Sequence, residues 1–171
     1  MNQTYPFKNV AVLAGGIGEE RAVSLQSGQN IYNALKQTDL HVTLSDITTD
    51  DMSALDNPDT DIFFLALHGR FGEDGQLQKI LEDKELVYTG SDSAASRLAF
   101  DKKAAKEKFI EADILTPQAV YVKKNQDWQA LEIQLSVLGN TFVVKPITQG
   151  SSVGIEIVDS IKKASTAAKN C

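Results

Sequence analysis

The sequence predicts an α/β fold: a parallel-sheet domain followed by a smaller, incomplete α+β lobe. Three observations carry this. Short β-branched or aromatic apolar runs at 8–14 and 61–67 each end in glycine-rich turns. Segments of helical periodicity alternate with them in strand–helix–strand order, the βαβ signature. After Thr116-Pro117 the order changes to strand, helix, strand, strand.

The elements follow in turn. Lys8–Ala14 (KNVAVLA) is a buried strand closed by Gly15-Gly16, and Val23, Leu25, Ile31, Ala34 and Leu35 recur at helical spacing over 21–38. His41–Asp46 is a second strand, and Asp61–Leu67 (DIFFLAL) a third. Its near-continuous apolar run suits a sheet covered on both faces. Gln76–Lys84 is a helix, Ser91 a helix N-cap, and Asp101–Ala112 a further helix broken by Thr116-Pro117. Ala119–Val122 is a short strand, Asp127–Leu138 a helix, Thr141–Lys145 and Ile155–Val158 strands, and Asp159–Asn170 a helix. The predicted domains are 1–95 and 96–171. The final strand and helix have few visible packing partners, so the second lobe reads as stopping mid-domain.

Composition narrows the function classes. The 171 residues are 42% hydrophobic, too apolar and too evenly patterned for a disordered chain. Seventeen basic against 23 acidic residues give a net charge of -6 without a basic patch. That argues against nucleic acid and anionic membranes as partners. No apolar run approaches the roughly 18 residues of a membrane span, and the start lacks the basic and apolar regions of a signal peptide. The single cysteine, Cys171, makes no internal disulfide, which favours a reducing compartment. The expected location is the cytoplasm.

Three stretches carry chemistry. Gly15-Gly16-Ile17-Gly18-Glu19-Glu20-Arg21 joins a strand to a helix, where glycines let the backbone approach a ligand. A dinucleotide fingerprint would have a third glycine where Arg21 stands, and Glu19 and Glu20 would repel a pyrophosphate. A carboxylate there suits an ammonium group, or merely complements the helix dipole. His68-Gly69-Arg70-Phe71-Gly72-Glu73-Asp74-Gly75 follows the third strand, at the carboxyl end where α/β sheets bind ligands. It is a demanding ligand loop, or a glycine-rich turn with solvated charges. Val144-Lys145-Pro146 followed by Gln149-Gly150-Ser151-Ser152-Val153-Gly154 places a lysine at a strand end beside a donor-rich loop able to cradle phosphate. Lys102 alone is an ordinary helix lysine. No metal-ligand cluster or Walker loop is present, and the one G-x-S-x-G spacing, Gly150–Gly154, lies between two strands rather than at the strand-to-helix turn of a hydrolase elbow.

Together these loops resemble the D-alanine–D-alanine ligases of the ATP-grasp family. Gly15-Gly16-x-x-x-Glu20-Arg21-x-Val23-Ser24-Leu25-x-Ser27-Gly28 is similar to their first signature, and Leu67-His68-Gly69-x-x-Gly72-Glu73-Asp74-Gly75 to their second. Tyr88-Thr89-Gly90-Ser91, Asp101-Lys102 and Val144-Lys145-Pro146 with Gly150–Gly154 match in order. Ala22 and Phe100 depart from the usual acidic residue and methionine.

The resemblance implies a Rossmann-like pre-ATP-grasp domain followed by part of an ATP-grasp lobe. It implies an ATP-dependent ligase: ATP phosphorylates one D-alanine carboxylate, and a second D-alanine attacks the acyl phosphate, making D-alanyl-D-alanine for peptidoglycan. Glu20 would hold the first ammonium, with Ser151 in the same hydrogen-bonded set and His68 beside the substrates. Lys102, Lys145, Gly150, Ser151 and Ser152 would contact ATP. Glu20, His68 and Ser151 are expected to converge on one cleft, and Lys102 and Lys145 on another space. The complete enzyme would use Mg²⁺ or Mn²⁺ and form a homodimer. The metal ligands lie outside this sequence, so the 171 residues alone are expected to be inactive. Two alternatives remain: a non-catalytic ligand-binding module of the same fold, and a Rossmann-type dinucleotide-binding protein using Gly16, Gly18 and Asp46.

Overall fold

A computed structural model describes residues 6–123, 127–150 and 152–171. The chain divides into two compact units, Met1–Phe100 and Asp101–Cys171.

The first unit is built on a parallel sheet of β1 (Asn9–Gly15), β2 (His41–Ile47) and β3 (Ile62–Leu65), in the order β2-β1-β3. In register, Val12 pairs with Leu44 on one side and Phe64 on the other. Tyr88 adds a parallel bridge to Phe63, extending the sheet by a fourth short segment that the sequence did not suggest.

Side chains of β1 alternate between faces, and both faces are covered. Ala11 and Leu13 join Leu55, Phe71, Leu77 and Leu81 in the main core, brought by a 3₁₀ turn (Ser53–Asp56) and α2 (Gln76–Asp83). On the other face lies α1 (Arg21–Leu35). There Gly28 approaches so closely that a Cβ would stand 2.4 Å from that of Ala14. The unit closes with α3 (Ser93–Phe100). Asp92, rather than Ser91, caps it, its Oδ1 accepting from the Ala95 amide at 2.7 Å. Glu82 anchors the same end, accepting from the Ser93 amide and hydroxyl and from Tyr88.

The second unit carries α4 (Lys102–Glu111), α5 (Trp128–Ser136), the antiparallel pair β4 (Phe142–Val144) and β5 (Glu156–Val158), and α6 (Ile161–Asn170). Aspartate caps begin α4 and α5, and Ser160 caps α6. Leu131, Leu135, Phe142 and Ala164 form its core. The strand expected at 119–122 does not form. Val120 and Val122 do pack on the core, but the segment joins no ladder, and strand character needs a paired edge. No helix among the described residues is long and apolar enough to cross a membrane.

Candidate functional site

In the first unit, β1 ends at Gly15, whose φ of +93° favours glycine. Space demands it too: a Cβ would lie 2.1 Å from Asp46 Oδ1. Asp46 is held by a two-pronged Arg21 contact, at 2.8 and 2.6 Å. Arg21 also donates to the Gly16 carbonyl at 3.2 Å. The bond to Asp46 raises the guanidinium pKa above its ordinary value. This overturns the dinucleotide alternative: the carboxylate meant for a ribose is already engaged, by the residue standing where the third glycine should be.

Beyond Arg21, α1 meets the loop after β3 at successive points. Glu20 precedes the helix, and its carboxylate fills the space over Gly69, where a Cβ would stand 2.1 Å from Oε2. The Gly69 φ of +70° is again glycine's. Ser24, fully buried, accepts from the Gly15 amide at 3.0 Å and donates to the Ala66 carbonyl at 3.1 Å. Ser27 Oγ lies 2.9 Å from His68 Nε2. On the ring's other side, Nδ1 is 3.6 Å from Glu73 Oε1. Glu73 Oε2 accepts from the Gly69 amide at 2.8 Å.

The loop is fixed from within. Leu67 and Phe71 are core residues on either side of His68 and Gly69. Phe71 holds a φ of +72°, a left-handed conformation that burial of its ring compensates. Its amide donates to Asp74 at 3.1 Å. Glu20 and His68 thus come together around Gly69, and Glu73 adds a second carboxylate to the same corner. Such a corner attracts a cationic group. Beside it is a cavity of about 660 Å³, lined in part by Ser27, His68, Glu73, Gln78, Thr89 and Ser91. Glu20 is not among its lining residues.

In the second unit, Lys102 opens α4. Its amide donates to the Ile147 carbonyl at 3.0 Å, and its ammonium to the Gln149 carbonyl. Burial, then the neighbouring charge of Lys145, lowers the Lys102 pKa; Asp101 and Cys171 oppose this. The two lysines therefore sense one another, although 43 positions apart in the sequence. The loop that follows folds back on itself: a Cβ on Gly154 would stand 2.8 Å from Pro146 Cγ. Gly150 is half-buried and Ser152 exposed; Ser151 lies outside the described residues. Two cations beside a loop of backbone donors can receive a polyphosphate. No group of three or more His, Cys, Asp or Glu side chains suited to a metal occurs among the described residues.

No family model matches the chain. Curated relatives and solved structures do. The D-alanine–D-alanine ligase of Methylacidiphilum infernorum is 38% identical over 169 residues, 99% of this chain and 52% of that protein. Over nearly its whole length the chain is similar to the D-alanine–D-alanine ligases. It spans about half the length of the curated relatives it matches. The crystal structure of the D-alanine–D-alanine ligase from Bacillus anthracis superposes with a TM-score of 0.81 at 31% identity, covering 95% of this chain and 53% of that one. The same ligase complexed with ATP superposes at 0.80 with 28% identity, over 95% and 54%.

Beside the residues that the sequence singles out, the structure adds Ser24, Ser27 and Glu73, whose contacts hold the two loops together. All three sit inside the quoted motifs. The overlooked signal was spacing: Glu20, Ser24 and Ser27 are at i, i+4 and i+7, one face of a helix entrance.

Proposed function

We propose that this chain carries the first amino-acid site and part of the nucleotide-phosphate site of a D-alanine–D-alanine ligase. The observation that carries the reading is the corner at Gly69, against which Glu20 and Glu73 both lie, with His68 next in the chain. Glu20 receives the ammonium of the first D-alanine, leaving that amino acid's carboxylate free to accept the phosphoryl group of ATP. His68 borders that site; Ser151, which the resemblance adds to it, lies outside the described residues. A second D-alanine then attacks the acyl phosphate through its amine, releasing phosphate and forming the dipeptide.

Lys102 and Lys145 stabilise charge on the polyphosphate, with Gly150, Ser151 and Ser152 supplying donors. The lysine proximity and the ATP complex of the Bacillus anthracis ligase support this. On this reading 96–171 is the first part of an ATP-grasp lobe, and 1–95 the domain before it. The described residues do not fit a Mg²⁺ or Mn²⁺ cage, so no step is assigned to metal here. The 171 residues by themselves are proposed not to complete ligation.

Glu20→Gln tests the reading. Loss of a charge-assisted hydrogen bond worth about 1.5–3 kcal/mol should weaken D-alanine binding about tenfold or more. ATP binding should stay unchanged. Calorimetric titration that finds D-alanine affinity unaltered would refute the assignment.

A further inference from the structure

The histidine of the corner has a hydroxyl within hydrogen-bond distance of Nε2 and faces a carboxylate with Nδ1. Ser27 reaches it from α1, one helical turn beyond Ser24. The Ser24 hydroxyl is occupied in both directions, by the Gly15 amide and the Ala66 carbonyl. The Ser27 hydroxyl lies 2.9 Å from His68 Nε2. Glu73 faces Nδ1 at 3.6 Å and is steadied through its other oxygen by the Gly69 amide.

These contacts select one neutral form of the ring. A carboxylate only accepts, so the nitrogen turned towards Glu73 is favoured to carry the hydrogen. A neutral imidazole has one N–H, which leaves Nε2 as an acceptor, and a serine hydroxyl can donate to it. We infer that Ser27 is a positioning residue that holds His68 as the Nδ1–H tautomer, with its hydrogen directed at Glu73. His68 then acts as a fixed donor that orients the second carboxylate of the corner. It is not an open base awaiting a substrate proton. The functional consequence rests on the amino-acid site proposed above; the tautomer itself does not.

The test uses the 171-residue chain with ¹⁵N-labelled histidine, at alkaline pH where an ordinary imidazole is neutral. The chain has two histidines, and exposed His41 serves as the internal reference. Long-range ¹H–¹⁵N spectra should place the hydrogen of His68 on Nδ1. Ser27→Ala should lower the ratio of Nδ1–H to Nε2–H about fivefold to tenfold, the effect of one hydrogen bond. Ser27→Thr, which keeps the hydroxyl, should restore it. A wild-type His68 carrying its hydrogen on Nε2 would overturn the inference, as would an unchanged ratio in a folded Ser27→Ala chain. If that variant fails to fold, the wild-type tautomer alone decides. A D-alanine titration of the same sample reports on the amino-acid site separately, so either idea can fail without the other.

Discussion

The two units hold their functional loops by different means. In the first, the loop bearing His68 runs between Leu67 and Phe71, both buried in the core. In the second, the loop after Lys145 is held by the Lys102–Gln149 contact and by Gly154 packing on Pro146. The cores differ in the same direction. Among the described residues, 13 of the 18 buried apolar side chains belong to the first unit and five to the second. Ten of the 14 large apolar side chains left exposed lie in the second, including Leu115, Val137 and Ile157. A parallel sheet covered on both faces supplies its own core, whereas a two-stranded sheet leaves one face bare. Comparable loop chemistry is therefore expected to be stiff in one unit and soft in the other.

The sharpest way to break this comparison is an equal wound to each core. Leu81→Ala and Leu131→Ala each remove a fully buried side chain, at a cost of about 2–5 kcal/mol. Urea titration followed by amide spectra should find Leu131→Ala erasing the signals of the second unit while the first stays folded. Leu81→Ala should lower the midpoint of the first unit without unfolding it in water. Equal tolerance in both units would remove the distinction.

A smaller effect comes from overfilling. Gly28→Val drives a side chain into Ala14 and Leu44, which costs about 1–3 kcal/mol. The loss should appear in the unfolding midpoint of the first unit alone.

The smallest effects are in pH dependence, and their signs are opposite. Tyr88 is pushed up to about 12 by burial and by its bond to Glu82. A raised folded pKa gives stability that is present below the ordinary value and lost as pH climbs towards 12. Lys102 has a lowered folded pKa, so the folded second unit sheds that proton first. Its stability should rise as pH approaches 10.5, the ordinary lysine value. Residue-resolved hydrogen exchange across the alkaline range should show the first unit weakening as the second strengthens. Tyr88→Phe and Lys102→Met should each flatten their own trend. Parallel trends would contradict these assignments.

Much of this architecture was legible because local and long-range preferences agree. The run NVAVLAG is apolar on both faces, and β1 is indeed the central strand. Asp101, Asp127 and Ser160 cap helices close to where side-chain chemistry puts a start. The 119–122 segment has strand composition but no partner edge, something no local pattern records. The Tyr88 bridge depends on a single residue finding β3. The site was legible in its charged members. Its fixing contacts were not, because Ser27, Glu73 and Arg21 acquire their partners across 41, 4 and 25 positions, and only folding brings those together.

The central proposal is that the ammonium of the first amino acid is received at the Gly69 corner of the first unit and the polyphosphate in the second unit. Amide chemical-shift mapping of the ¹⁵N-labelled chain, titrated separately with D-alanine and with ATP, tests it most directly. D-alanine should shift resonances of 15–20 and 68–73, and ATP those around Lys102, Lys145 and 150–154. Both ligands perturbing the same unit, or D-alanine leaving the Gly69 corner unmoved, would contradict the account.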